Sequence, residues 1–127
     1  MTLTAAQRQH WRQLWARESD ALEERRHQLL VVAKAVAKEL QGLWPEVGVR
    51  LFGSVLGPGF RDGSDLDLAV EGLPREALLE ALALAERCAD AQLLTLGGSP
   101  VAVDLVRLEA LPVPWQERIR QRGQALP

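Results

Sequence analysis

Tyrosine is absent from the 127 residues, phenylalanine occurs twice and cysteine once. A lone thiol, Cys88, cannot close an internal disulfide, and its place within the apolar pattern of a helix reads as a small buried side chain with no catalytic role. Long apolar runs are also missing. The longest, Leu29 to Val36, already contains Lys34 and is followed by Lys38, far short of the roughly 20 apolar residues a membrane span needs. The N-terminus MTLTAAQRQHWRQLW has no basic start, apolar block and small-residue cleavage site, so no export signal is read there and the expectation is a cytoplasmic protein with no membrane partner. Excess charge of either sign is missing too: 15 basic and 17 acidic residues leave a net charge of -2. That balance disfavours an extended nucleic-acid partner, which needs many cationic phosphate contacts. The dense arginines Arg17, Arg25, Arg26, Arg118, Arg120 and Arg122 are read as solvated helix faces.

What is present is enough for one domain: 47% hydrophobic residues can bury a core. From Ala5 the chain has no glycine until Gly42 and no proline until Pro45, while Trp11, Leu14, Trp15 and then Leu29, Val32, Val36, Leu40 recur at helical spacing. Helix is therefore expected to Leu43, with a break near Ser19, because Asp20 followed by Glu23 has the form of a capping box. The tryptophans are read as packing; an exposed Trp face would instead mark a docking surface. After Pro45 the period becomes two, giving a strand through Val47, Val49 and Leu51. A second strand is expected from Leu66 to Val70, a helix from Pro74 through Ala85, strands at Leu93 to Leu96 and Val101 to Val106 around the Gly97-Gly98-Ser99-Pro100 turn, and a last helix from Trp115 to Arg122. The sum is α+β, or α/β: a mixed sheet with packed helices and an extended helical N-terminus. Residues 1–127 are expected to form a single domain, with 1–44 as the helical extension and 45–127 as the core.

Three carboxylates stand out. Asp65 and Asp67, two apart at the start of a strand, emerge on one face with α-carbons about 6.6 Å apart. Asp104 lies mid-strand in VAVDLV, where burial of a lone carboxylate is costly without a cationic partner; its plainer accounts are capping of a neighbouring loop or pairing with an arginine such as Arg50. Carboxylates converging from neighbouring strands repel one another, and a hard divalent cation such as Mg²⁺ converts that repulsion into a binding site. Singly, each element has a plainer account: an Asp-x-Asp pair shapes surface turns, and Gly53-Ser54 ends a strand.

Their joint spacing resembles the DNA polymerase beta nucleotidyltransferase superfamily, in particular its minimal stand-alone members. The segment GSVLGPGFRDGSDLDLAV, Gly53 to Val70, follows their pattern of a Gly-Ser turn, a short helix and Ser-Asp-x-Asp-Leu, and VAVDLV supplies the third carboxylate. The match covers roughly residues 47 to 106. It departs after Gly-Ser, where many members carry a basic residue and this chain has Val55, Leu56, Gly57 and Pro58, so the short helix is in doubt.

The resemblance implies that Asp65, Asp67 and Asp104 hold two Mg²⁺ ions, with Asp104 on the ion nearest the acceptor. It implies ATP or another nucleoside triphosphate as substrate, its phosphates bound by Gly53 and Ser54, with Ser64 and Arg61 as further binding residues. His10 and His27, far off in the N-terminal helix, are read as surface residues. For the acceptor, the resemblance favours a HEPN-type toxin as partner protein, modified by AMP transfer to a tyrosine, with this chain its antitoxin. Lack of tyrosine then excludes self-labelling at that residue. Two rivals stay open: a small-molecule (aminoglycoside-like) nucleotidyltransferase, whose usual additional helical domain is not visible after Leu126, and a catalytically silent antitoxin that binds by contact. The surplus N-terminal helices have three uses open to them: covering the sheet, forming a homo-oligomer, or docking the partner.

Overall fold

Helix α1 runs unbroken from Ala5 to Leu43 in the computed structural model, which describes residues 2–127. Its start is a capping box one turn before the tryptophans: Gln7 N–H donates to Thr4 Oγ1 at 3.1 Å, and Thr4 N–H donates to the Gln7 side-chain oxygen at 2.9 Å. The expected break near Ser19 does not form. Without glycine or proline there, the cost of continuing is the modest helix propensity of Ser and Asp, under about 0.7 kcal/mol each. Glu23, instead of reaching back to Asp20, pairs forward with Arg26 at 3.3 Å.

The helix changes character along its length. No described residue before Arg25 is buried. From there Leu29, Val32, Ala33, Val36, Ala37 and Leu40 leave solvent at the i, i+3, i+4 spacing of one helix face. Each larger side chain among them contributes on the order of 1.5–3 kcal/mol by burial. Trp11 and Trp15, by contrast, are 46% and 62% exposed, so the packing expectation fails for both. His10 and His27 are exposed, as expected.

Four strands, β1 (Gly48–Phe52), β2 (Leu66–Glu71), β3 (Val103–Arg107) and β4 (Gln124–Ala125), form one sheet in the order β3-β2-β1-β4. β1 lies antiparallel to β2 and to β4, whereas β2 and β3 are parallel. A parallel pair needs a long crossover, and α2 (Leu78–Leu96) provides it after a 3-10 turn at Arg75–Ala77. The architecture is α+β with a mixed sheet, as expected.

The expected strand at Leu93 to Leu96 is instead the end of α2. Its four residues are too few to show a period, and Leu94 is 83% exposed, so its apolar character reports no buried sheet position. Gly97, at φ 73°, stops the helix in the left-handed conformation, and Gly98 N–H donates to the Leu93 carbonyl at 2.9 Å. β4 was not expected, since two residues carry no readable pattern.

Alternation along β2 sorts its side chains between two faces. Leu66, Leu68 and Val70 join the main core under α1 and α2. Ala69 faces the other way, into a small cluster with Leu108 and with Ile119 of helix α3 (Val113–Arg122). Asp67 shares that second face, two residues nearer the start of the strand, and is half-buried there. Among the described residues no helix is long and apolar enough to cross a membrane.

Candidate active site

β1 ends at Phe52, directly opposite Asp67 of β2, and Asp67 in turn stands directly opposite Asp104 of β3. One row across three strands, at the last residue of β1 and the second of β2 and β3, thus carries two adjacent carboxylates. Asp65 precedes β2 by one residue and is exposed, as is Asp104. The structure therefore brings Asp67 and Asp104 side by side with Asp65 two residues upstream. Arg50, on β1 opposite Ala69, makes no ion pair among the described residues, so it does not serve as the partner of Asp104.

Immediately after Phe52 the backbone enters a positive-φ turn at Gly53 (φ 84°). A side chain there is excluded twice over. The conformation is unfavourable to L-residues, and a β-carbon would collide with Asp67 Oδ2 and come within 2.9 Å of Asp67 Cγ. Gly53 is what lets the turn lie against the carboxylate. Ser54–Leu56 follows as a single 3-10 turn, closed by Leu56 N–H to Gly53 O at 3.2 Å and Gly57 N–H to Ser54 O at 2.9 Å. The short helix in doubt from the sequence exists in this reduced form.

Asp67 has its carboxyl pushed up to about 6, by burial first and then by repulsion from Asp104 and Asp65. No protein group among the described residues forms an ion pair with any of the three acids. An all-carboxylate donor set suits a hard divalent cation. Among the described residues, however, no three His, Cys, Asp or Glu side chains are gathered closely enough to hold a metal ion. The donors stand in a row rather than as a closed coordination shell.

Ser64 is engaged within its own loop: its hydroxyl accepts from Arg61 N–H at 2.9 Å, and its N–H donates to Arg61 O at 3.0 Å. This local side-chain and backbone closure of Arg61–Ser64 sets the chain direction into Asp65. The Arg61 side chain lines a groove with Glu18, Leu22 and Phe60, against α1, and not the groove beside Gly53 described below.

Two residues missed as part of the site are Arg25 and Arg26. Arg25 is only 5% exposed and donates to the carbonyls of Ser99 at 2.6 Å and Pro100 at 2.9 Å, on the loop that leads into β3. Arg26 donates to the carbonyls of Val55 and Gly57 and stacks on Phe60, 4.8 Å from the ring centroid. Adjacent arginines on α1 thus tie down the two loops that flank the carboxylates. They are not solvated surface. A signal was available for Arg25: it lies four residues before Leu29 on the buried stripe.

Between the Gly53–Pro58 turn and α3 runs a groove of about 510 Å³, whose far wall carries Trp115, Arg118 and Arg122. It opens next to the carboxylate row through Phe52 and Gly53.

A glycine turn thus lies against paired strand carboxylates, with an open groove on its other side. Residues 33–123 match the family described as "Nucleotidyltransferase domain", more than half of the chain, and the chain belongs to that family. Among solved structures it is similar to a chain of the toxin-antitoxin complex MntA-HepT, at 22% identity and TM-score 0.46, over 76% of this chain and 69% of that one. A mutant form of that complex gives 24% identity and TM-score 0.46, over 69% of this chain and 66% of the other. No curated protein matches the chain.

Proposed function

We propose that this protein is a Mg²⁺-dependent nucleotidyltransferase that transfers AMP from ATP to a hydroxyl of a partner protein, acting as the antitoxin of a HEPN-type toxin. The observation that carries the transferase reading is the juxtaposition of Gly53 with Asp67 and of Asp67 with Asp104, in a chain of the nucleotidyltransferase domain family. Asp65, Asp67 and Asp104 would hold the metal. Bound divalent ions supply charge neutralisation at the triphosphate and activation of the acceptor hydroxyl.

The chain's own part is placement. Gly53 keeps the turn close to Asp67, so a triphosphate lying along Ser54–Gly57 has its α phosphorus near the carboxylate row. Asp104, exposed on the outer strand β3, is reached from solvent by an incoming acceptor, and it is the group that would take the hydroxyl proton. Without tyrosine in the chain, a tyrosine acceptor must come from another protein. That acceptor class rests on the resemblance of residues 47 to 106 to minimal stand-alone members.

The test is incubation of the protein with α-labelled ATP, Mg²⁺ and lysate from its own source. A labelled protein band is expected, lost when Asp67 and Asp104 are both changed to Asn. A labelled small molecule would favour transfer to a compound such as an aminoglycoside. Absence of label in either fraction, with the partner still captured, would leave a silent binding antitoxin.

A further inference from the structure

A nucleotide triphosphate brings several negative charges, yet the turn read as its seat offers no cation: residues 53–58 are Gly, Ser, Val, Leu, Gly and Pro. Neither Arg26 of α1 nor Arg61 of the loop before β2 fills the gap. Arg26 already gives its guanidinium to the carbonyls of that turn, and Arg61 lines another groove. We propose that Arg118 and Arg122 of α3 are the phosphate-binding cations of this site, holding the β and γ phosphates from the wall opposite Gly53–Gly57.

Spacing on α3 supports the assignment. Trp115, Arg118 and Arg122 fall at i, i+3 and i+7, one face of a helix, and all three line the groove. Ile119, buried at 4% exposure, anchors that face to the sheet. Arg120 points elsewhere and is spent on Glu71 at 2.9 Å. Arg118 and Arg122 have no carboxylate partner among the described residues. Trp115 carries the Arg118 guanidinium 5.0 Å from its ring centroid, which restricts a long side chain over the groove before any ligand arrives. The C-terminal end of α3 is the negative end of its dipole, about half a charge, and two full guanidinium charges outweigh it. A guanidinium can also meet two phosphate oxygens at once, which a lone ammonium cannot.

The proposal rests on the nucleotidyltransferase reading, and calorimetry separates the two. ATP with Mg²⁺ and inorganic tripolyphosphate are each titrated into the parent, Arg118→Gln, Arg122→Gln, the double variant and Arg120→Gln. Each single change should weaken both ligands roughly ten-fold, and the double change more, as expected for charge-assisted contacts. Arg120→Gln should bind like the parent. Trp115→Leu should show a smaller loss than Arg118→Gln, since it frees the guanidinium without removing it. A folded double variant that binds both ligands as the parent does overturns this proposal and leaves the transferase reading intact. A parent that binds neither ligand overturns both.

Discussion

Asp67 sits where burial and two other carboxylates all oppose its ionisation, and the consequence can be read in the metal-free protein. Its carboxyl is raised from 3.8 to about 6. Between those values the folded chain keeps a proton that the unfolded chain has released, so stability falls as pH rises through that window. The group is partly exposed and screened, which reduces the penalty to on the order of 1 kcal/mol. In divalent-free buffer Asp67→Asn should be more stable than the parent by that amount at about pH 7.5 and nearly equal to it at about pH 4. Urea denaturation at both values measures this, and an equal difference at the two would show that Asp67 holds no proton. Gly53 answers to the same carboxylate. Gly53→Ala should cost about 1–3 kcal/mol through its positive φ. By displacing Asp67 it should also lower transfer roughly 100-fold. Gly59→Ala, with nothing within 4 Å of the added carbon, is the control for stability. Normal transfer by Gly53→Ala would mean that the contact with Asp67 does not position the site.

Elements place these residues through α1, and the two arginines there should behave differently when removed. Arg25→Ala leaves two loop carbonyls and a cavity in a site that is almost closed to water, so a loss of about 2–4 kcal/mol is expected in denaturation. Arg26→Ala should cost only about 1 kcal/mol, because its side chain is partly exposed. Its main effect should be a raised KM for ATP with a smaller change in kcat, from loosening of the Val55–Gly57 turn. Arg26→Lys should restore little, since an ammonium cannot span both carbonyls. An unchanged KM in a folded Arg26→Ala would disconnect the helix from the turn. Sequence made the carboxylates legible because strand alternation and the spacing from Gly53-Ser54 are local properties. The arginine ties join residues about 30 and 75 positions apart, and no period reports such a pairing. Likewise Leu93 to Leu96 carries no sign of whether a helix continues through it; Gly97 decides, and glycine ends helices and strands alike.

At the scale of the whole molecule, α1 is one continuous helix whose buried residues all lie in its second half, and truncation should separate the roles of the two halves. Residues after Arg25 carry the core, and the family match begins at residue 33. Before Asp20 no described residue is buried, and Leu3, Trp11 and Trp15 line, together with Arg8 and Arg12, an open groove of about 440 Å³. Aromatic rings exposed beside arginine have the composition of a protein-docking surface. Removing residues before Asp20 therefore takes away this surface without opening the core. The shortened helix also keeps a start signal: Asp20 becomes the N-cap with Glu23 at the third helical position, the capping box that the full-length helix leaves unused. The truncated protein should thus retain its helical circular dichroism apart from the deleted turns, and its urea midpoint should stay close to that of the parent. ATP affinity by calorimetry should be unchanged, while labelling of the partner should fall at least roughly ten-fold, the loss of one or two aromatic anchors. Trp11→Ala with Trp15→Ala in the full-length chain should reproduce that fall with the helix intact. Equal loss of ATP binding and labelling would make the first half of α1 part of the catalytic core. Undiminished labelling by both variants would show that the partner is held elsewhere.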